Sequence, residues 1–275
     1  MKLSDVQKRE FLDGLWHFYS RHKRSFAWRM LDERGSIDPY KIVVSEIMLQ
    51  QTQASRVVPY FERFIYEFPN FSVLAGAELA TVLKSWQGLG YNRRARYLHL
   101  IAQKVTSEFS GILPVNLEQL TALPGIGSNT AGAIVVYTFN RPALFVETNI
   151  RTVITYHFFK NEPEVSDVQV RQVLGQLLER KNAREFYWAM MDYGSDLKKQ
   201  GIRLNARNKQ YRKQTAFQGS FRQLRGEVLR HLTVKTRLIS ELEQLTNDER
   251  LGRAIASLEK DKLIEVANGH VFLAK

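Results

Sequence analysis

The sequence predicts a mainly α-helical protein that ends in a winged-helix-like domain. Amphipathic helical periods recur through about residue 200, whereas the alternation typical of half-buried strands is scarce there. Glycine and proline stand where these periods end, as at Gly88, Gly90 and Pro114. Three further helical periods and two short apolar runs then follow, which is the order of elements in a winged helix.

The helical periods before residue 200 are expected to form the larger part of the protein. They lie at about 5–20, 40–53, 56–67, 77–84, 92–109, 116–122, 128–138, 148–158, 167–180 and 183–193. Because each period has one apolar face, the helices are expected to pack around a shared core.

The last part of the chain has a different pattern. Helical periods at about 221–233, 237–246 and 248–260 lead into two short apolar runs joined by Asn268-Gly269. Asn-Gly favours the positive φ angles of a type I′ turn, so the two runs are expected to form a hairpin. We therefore expect residues 221–275 to form the winged-helix-like domain, residues 1–200 the main core, and the polar, basic residues 201–220 a linker.

Composition limits the possible functions. The chain has 275 residues with 44% hydrophobic residues, enough for two or three modules with buried cores. Its net charge of +12 favours a polyanionic partner, with nucleic acid ahead of a membrane surface. Since the chain has 0 cysteines, disulfides, thiolate zinc sites and cysteine-ligated iron–sulfur clusters are excluded. No leader or membrane-spanning segment is apparent, so we expect a cytoplasmic, nucleoid-associated protein.

The segment from Leu123 to Ile134, LPGIGSNTAGAI, indicates a turn that binds an anion. Gly125 and Gly127 allow a tight turn and close approach of a partner. The helix that follows presents free N–H groups and the positive end of its dipole, which suit a DNA phosphate. PGIG alone is also compatible with a plain turn between two helices.

A second segment, SEIMLQQTQ at 45–53, places one acid in an apolar helical stretch. Desolvation of Glu46 would raise its pKa and keep it able to donate a proton near neutral pH. Taken alone, Glu46 is equally compatible with a solvated helix residue.

Together these segments resemble the helix-hairpin-helix (HhH-GPD) DNA glycosylases, and SEIMLQQT is closest to the EVMLQQT string of their adenine-excising members. The resemblance extends over about residues 25–195 and includes Phe26–Arg29, the GLGY string that ends at Tyr91, the RAR string that begins at Arg94, and an MMDxG string at 190–194. It implies a two-lobed fold, with a six-helix lobe at about 25–138 and a second lobe from 1–24 plus 139–200. It also implies no metal at the reacting centre.

The resemblance implies roles for individual residues. Glu46 would be the general acid that protonates the leaving base. Leu49 and Gln51 would wedge into the stack vacated by a flipped nucleotide. Other expected DNA contacts are Gln50, Thr52, Tyr91, Arg94, Gly125, Gly127, Ser128, Asn129 and Thr130. Arg29 and Trp28 would line the base pocket, although Trp28 and Tyr91 are equally compatible with core aromatics.

Glu147 departs from the family pattern, which has aspartate at this position. The carboxylate would stabilise the positive sugar as the glycosidic bond breaks. One extra methylene moves the charge by about 1 Å, and misplacement on that scale can cost on the order of 10²-fold in rate. Either the pocket compensates or the preferred substrate differs. Asn149 matches the family's asparagine and would hold Glu147 or a water molecule.

Two further positions separate this chain from other members of the superfamily. Bifunctional members have a lysine where this chain has Asn129, so a monofunctional enzyme that uses water is implied. Most adenine-excising members place four cysteines around an iron–sulfur cluster after the MMDxG string, and Lys198 occupies the first of these positions. We therefore expect no cluster and no other cofactor, with a basic run at 198–213 that contacts phosphates. A monovalent cation bound by the hairpin backbone would be structural.

The expected substrate is double-stranded DNA with a mismatched or damaged base, bound by a monomer. Adenine opposite guanine or oxidised guanine is the first choice. The adenine-excising members usually have a C-terminal domain related to nucleotide hydrolases, and the winged-helix-like pattern stands in its place here. Two alternatives stay open: the same chemistry on mismatched thymine or uracil or on a damaged purine, and a lesion-binding protein without catalysis.

Overall fold

A computed structural model describes residues 1–208 and 216–274. The described residues are mainly helical, and the only strands among them lie in the C-terminal part. The helices are α1 (Asp5–His22), α2 (Pro39–Leu49), α3 (Ala54–Glu67), α4 (Phe71–Gly76), α5 (Leu79–Ser85), α6 (Arg93–Glu108), α7 (Leu117–Thr121), α8 (Ser128–Phe139), α9 (Thr148–Phe158), α10 (Asp167–Leu177), α11 (Ala183–Lys199), α12 (Phe221–Val234), α13 (Ile239–Thr246) and α14 (Leu251–Lys260). The strands are β1 (Arg237–Leu238), β2 (Ile264–Ala267) and β3 (His270–Leu273).

The chain divides into two compact units. The first consists of Met1–Ile42, Val115–Ala122 and the described part of Ile126–Lys213. The second consists of Val43–Pro114, Leu123–Gly125 and the described part of Gln214–Lys275.

The first unit is built around α8, α9 and α11. Helix α8 is apolar on every side, and its residues from Ala131 to Thr138 are buried. Helix α11 packs along α9 and also contacts α1. Capping boxes start α1 at Ser4 and α10 at Ser166. Each serine side chain accepts a hydrogen bond from the backbone N–H three residues later, and the glutamine at that position accepts from the backbone N–H of the serine.

The second unit contains α3 to α6 and the C-terminal elements. Helix α6 packs on α4 and α5, with Leu98, Ile101 and Val105 in the core. Helices α12 to α14 and a three-stranded antiparallel sheet of order β1-β3-β2 form the winged-helix-like part, as expected. Asn268 and Gly269 have φ angles of 51° and 73°, so the expected type I′ turn joins β2 to β3.

Several element boundaries differ from the expectation. The period expected at 77–84 corresponds to α5, the short helix α4 before it was not expected, and α11 continues to Lys199 rather than ending near 193. The helix expected from residue 237 begins at Ile239, because Arg237 and Leu238 pair with β3 as a short third strand. Residues 209–215 of the expected linker, with Lys209, Arg212 and Lys213, lie outside the described residues.

That residues 221–275 form a domain separate from residues 1–200 stays a prediction. In the structure α12 contacts α5, and the described residues 216–274 belong to the same unit as 43–114. Among the described residues, no helix is long and apolar enough to cross a membrane.

Candidate active site

The expected site residues fall into both units. Glu46, the 49–52 turn, Tyr91, Arg94 and Gly125 belong to the second unit. The remaining candidates belong to the first unit: Trp28, Arg29, Gly127, Ser128, Asn129, Thr130, Glu147 and Asn149.

Glu46 lies on α2, a helix in which residues 42–48 are all buried. Pro39 starts this helix, a position where the missing N–H of proline has no helical partner to lose. Glu46 is 9% exposed, between the fully buried Ser45 and Ile47. The expected desolvation of this carboxyl group is therefore present, and its role as general acid stays a prediction.

The turn that follows α2 holds the candidate wedge residues. Gln51 has a φ of 56° and is exposed, and Thr52 donates its N–H to the carbonyl of Leu49 at 3.1 Å. A left-handed conformation is costly for a residue with a Cβ, and such strain concentrates at functional sites. Gln50 donates through Nε2 to the carbonyl of Gly125 at 3.1 Å, which joins this turn to the first glycine of the hairpin.

Gly125 has a φ of 75°, and the ring of Tyr97 leaves no room for a side chain at this position. A Cβ at this position would lie 2.5 Å from Cδ2 of Tyr97. Only glycine therefore combines this backbone angle with this approach to the aromatic ring.

The loop before α6 has a second strained residue. Gly88 and Gly90 have positive φ angles, and Tyr91 follows with a φ of 49°. Trp86 is fully buried and donates through Nε1 to the carbonyl of Gly90 at 3.1 Å, which fixes the loop on the core.

Arg94 connects this loop to the 49–52 turn. It is 6% exposed, and its guanidinium donates to six acceptors. These are the carbonyls of Ile47 (3.1 Å), Met48 (2.6 Å), Gln50 (2.6 Å), Gly90 (2.9 Å) and Tyr91 (3.4 Å) and the hydroxyl of Thr52 (3.1 Å). The guanidinium therefore holds both segments in place, and its predicted contact with DNA stays a prediction. Burial lowers the pKa of Arg94 to about 10, so it keeps its charge near neutral pH.

Tyr91 lies against two guanidinium groups. The Arg94 and Arg222 guanidinium carbons are 5.4 Å and 5.3 Å from the ring centre, and Arg222 also donates to the Tyr91 hydroxyl. Arg222 belongs to α12, 131 residues further along the chain. Nothing in the sequence near Arg222 marks it as a partner of Tyr91 at that separation.

In the first unit, the N-terminus of α8 fits the expected anion-binding turn. Gly127 is the N-cap, with extended backbone and no side chain to satisfy the first N–H groups of the helix. Gly127 and Ser128 are exposed, and Thr130 is partly buried. Phosphate binding at these residues stays a prediction.

Asn129 holds the segment that leads to Glu147. Its amide donates to the carbonyl of Val146 at 3.1 Å and accepts from the N–H of Val146 at 3.3 Å. Arg171 donates to the same amide oxygen at 2.8 Å. The residue at the position of the bifunctional enzymes' lysine is thus fixed against the backbone one residue before Glu147.

Glu147 is partly buried at the N-cap of α9, with Asn149 in the first turn. Burial raises the pKa of Glu147 above its usual value, and the positive charge of Lys198 opposes this. Lys198 donates to Oδ1 of Asn149 at 2.6 Å. In the sequence, Lys198 stands at a lost cysteine position and begins the basic run expected to contact phosphates, and no motif indicates its contact with Asn149.

Arg29 and Trp28 belong to a packed aromatic cluster. Trp28 is 5% exposed and stacks on Phe26 with ring centres 4.6 Å apart. Arg29 lies over Phe26 and donates to Oδ2 of Asp192 at 3.0 Å. Arg24 donates to Oδ1 of Asp192 at 2.7 Å. Asp192 is 1% exposed, and paired cations are what allow a carboxylate to stay buried.

The donor set needed for an iron–sulfur cluster does not fit this chain. The sequence has 0 cysteines, and Lys198, at the position of the family's first ligand, donates to Asn149 instead. Among the described residues, no group of histidine, aspartate and glutamate has the arrangement of a metal site. The monovalent cation expected at the hairpin stays a prediction.

Comparison with known proteins identifies the family. Residues 44–180 match the HhH-GPD superfamily base excision DNA repair protein family. The chain is 32% identical to adenine DNA glycosylase of Mycolicibacterium smegmatis, over 94% of this chain and 94% of the relative. It is 32% identical to the Mycobacterium tuberculosis enzyme of that name, over 91% of this chain and 89% of the relative. It is 33% identical to the enzyme of that name from Buchnera aphidicola, where it spans 50% of the relative's length.

Solved structures show the same fold. A thermostable thymine-DNA glycosylase matches with a TM-score of 0.59 and 24% identity, over 70% of this chain and 87% of that chain. Endonuclease III in a non-covalent DNA complex matches with a TM-score of 0.57 and 17% identity, over 69% of this chain and 85% of that chain. The chain belongs to the HhH-GPD superfamily of base excision DNA repair proteins, and it is a DNA N-glycosylase homologous to the adenine DNA glycosylases.

Proposed function

We propose that this protein excises adenine mispaired with guanine or oxidised guanine from double-stranded DNA and leaves an abasic site. The observation that carries the proposal is the similarity to adenine DNA glycosylases along 94% of the chain, with a buried glutamate, Glu46, in the string closest to theirs. The net charge of +12 suits a polyanionic substrate. We further propose that the protein acts as a monomer on nucleoid DNA in the cytoplasm.

Strained and exposed backbone supports the proposed DNA contacts. Gln51 and Tyr91 both have left-handed φ angles. Arg94 donates to the backbone carbonyl next to each of them, at Gln50 and Gly90. A wedge needs such a rigid support, because the insertion offsets an unstacking cost of a few kcal/mol per step. In this proposal the exposed N-terminus of α8 binds a phosphate through backbone N–H groups.

The chemistry uses two carboxyl groups with different tasks. Glu46, in an apolar helix, donates a proton to the flipped base, which weakens the bond from base to sugar. The departing base takes the bonding electron pair, and Glu147 in its ionised form stabilises the positive sugar. A water molecule adds its oxygen to C1′ and releases a proton, which yields the abasic site. Asn149 orients Glu147 or this water.

Single-turnover excision tests the assignment of Glu46. Glu46→Gln keeps the size of the side chain but removes the proton, so the rate constant is expected to fall by roughly 10² to 10⁴-fold. Glu62→Gln, at an exposed position on α3, is the matched control and is expected to keep the wild-type rate. If Glu46→Gln retains most single-turnover excision on the true substrate, Glu46 is not the general acid.

A panel of duplexes tests the identity of the base. Each duplex has one mismatch or damaged base and is treated with alkali after incubation, which cuts the strand at abasic sites. Adenine opposite oxidised guanine and opposite guanine is expected to react fastest. Faster reaction at mismatched thymine or uracil, or at a damaged purine, would show that the preferred substrate is not adenine. The glutamate at position 147, in place of the family's aspartate, would then be associated with that change of substrate. Selective binding with no abasic product on any duplex would identify a lesion-binding protein.

Omission of the alkali tests whether the enzyme is monofunctional. Asn129 offers no amine to attack the sugar, and its amide is engaged with Val146. The excised strand is therefore expected to stay intact until alkali is added. Strand cleavage at the excision rate without alkali would contradict a mechanism that uses water alone.

A further inference from the structure

Lys198 contacts Asn149, close in sequence to the proposed catalytic carboxylate Glu147, from a helix where the family usually places a cluster ligand. Its Nζ lies 2.6 Å from Oδ1 of Asn149, two residues after Glu147. Since this chain has 0 cysteines, position 198 is free of the ligand role, and the cluster chemistry does not apply to it.

The packing of α11 on α9 aims Lys198 at this point. Gly194 lies four residues earlier, on the same face of α11, and a Cβ there would overlap the backbone carbonyl of Asn149. Glycine at position 194 therefore lets α11 and α9 approach closely. One turn later on α11, the long side chain of Lys198 reaches the side-chain amide of Asn149.

Two neighbouring charges act on the pKa of Lys198 in opposite directions. Burial and the charge of Arg151 lower the pKa of Lys198 to about 8, while Glu147 works in the opposite direction. Arg151 is itself held by Asp167, with Nε and Nη2 2.8 Å and 3.0 Å from the two carboxylate oxygens. Lys198 in turn lowers the pKa of Glu147, which burial alone raises.

We propose that Lys198 is a positioning residue that orients Asn149 and favours the ionised form of Glu147 beside the reacting sugar. The proposal rests on the proposed function, because it assigns Glu147 to the stabilisation of the sugar cation. An ammonium group at this position supplies the countercharge that a partly buried carboxylate needs. It also fixes the amide through its oxygen. The Asn149 amino group contacts Sδ of Met191 at 4.0 Å, and its second N–H can serve Glu147 or water.

Four proteins test the proposal: wild type, Lys198→Met, Lys198→Arg, and Lys181→Met as an exposed control on the same unit. Single-turnover excision is measured with enzyme in excess over a range of pH, together with affinity for abasic-product DNA and the thermal unfolding midpoint. Lys198→Met is expected to lower the rate constant by roughly 10- to 100-fold. Lys198→Arg is expected to recover part of this loss, and Lys181→Met is expected to match wild type.

The pH profile separates positioning from simple packing. Without Lys198 the pKa of Glu147 rises, so the acid limb of the excision profile is expected to move to higher pH in Lys198→Met. Wild-type activity is expected to fall as Lys198 loses its proton near pH 8, a limb that Lys198→Met lacks. An unchanged rate constant with both limbs in place would overturn the proposal. Borohydride trapping of wild type, but not of Lys198→Met, on abasic DNA would also overturn it, because Lys198 would then bond to the sugar.

A measurement without substrate keeps the proposal testable whatever the activity. In ¹⁵N-labelled wild-type protein, the Asn149 side-chain amide signals, assigned with Asn149→Asp, are expected to titrate with Lys198. Signals that stay constant across the pKa of Lys198 would overturn the contact, even if Lys198→Met failed to fold. If wild type excises no base from any duplex while these signals titrate, the proposed function fails and the contact of Lys198 with Asn149 stands.

Discussion

Arg94 donates to the backbone carbonyl of Met48 at 2.6 Å, across 46 residues of sequence. The same guanidinium also donates to the carbonyl of Gly90 at 2.9 Å, so one buried side chain holds both the turn after α2 and the loop before α6. A planar group with five N–H donors suits this task, since the acceptors surround it in one region.

Arg94→Lys is expected to destabilise the protein by about 2 to 4 kcal/mol, because lysine cannot serve acceptors on both sides and leaves buried carbonyls without partners. Urea denaturation measures this change, and faster amide hydrogen exchange at 47–52 localises it. Arg93→Lys on the same helix is the control, since Arg93 is largely exposed and lies 3.5 Å from Asp261. Equal stability of the two variants would refute the supporting role of Arg94.

The sequence predicted those features whose cause is local. The burial of Glu46 follows from its apolar neighbours, and the hairpin at Asn268-Gly269 follows from residues that accept positive φ angles. The short helix α4 was not predicted, because six residues span too few turns for a helical period to be recognised.

The contacts that organise the candidate site have causes far apart in the sequence. The acceptors of Arg94 are mostly backbone carbonyls, which every residue type provides, so the sequence does not encode which arginine will reach them. Arg222 and Lys198 depend in the same way on how helices pack. A family motif located Arg94 and Asn149, but the structure was needed to identify their partners.

Gly194→Ala is expected to destabilise the protein by about 1 to 3 kcal/mol, because the added methyl group overlaps the backbone carbonyl of Asn149 and forces α9 from α11. Excision is expected to fall further than stability alone explains, since Asn149 moves with the helix. Gly226→Ala is a control of opposite sign: a Cβ in α12 meets no atom within 4 Å. That variant is expected to gain about 0.5 to 1 kcal/mol. A neutral Gly194→Ala in urea denaturation would rule out the tight approach.

Arg222→Met tests whether α12 supports Tyr91 in DNA binding. The variant removes the donor to the Tyr91 hydroxyl and one of its two cation–π partners. Affinity for a duplex with an abasic site is expected to fall about two- to fivefold, the equivalent of 0.5 to 1 kcal/mol. Arg230→Met, on the exposed side of the same helix, measures the loss due to charge alone. Equal losses in fluorescence-anisotropy titrations of the two variants would mean that Arg222 acts only through its charge.

Asp167 is expected to link folding stability to pH on the acid side. Burial works to raise its pKa, but the hydrogen bonds and charge of Arg151, with a hydrogen bond from Asn208, hold it below the ordinary value of 3.8. A carboxylate whose pKa is lower in the folded state stabilises the protein above that ordinary value. This contribution is lost as the pH falls through the folded pKa. Asp167→Asn is therefore expected to be less stable at neutral pH, by on the order of 1 kcal/mol.

The difference between wild type and Asp167→Asn is then expected to shrink as the pH is lowered, because wild type loses the ion pair that the variant never had. Urea denaturation at a series of pH values measures it, with Asp13→Asn at an exposed position of α1 as the control. A constant difference across the whole series would show that Asp167 acts through hydrogen-bond geometry rather than charge. Asparagine keeps one acceptor for Arg151, so this outcome is distinct from a simple loss of the contact.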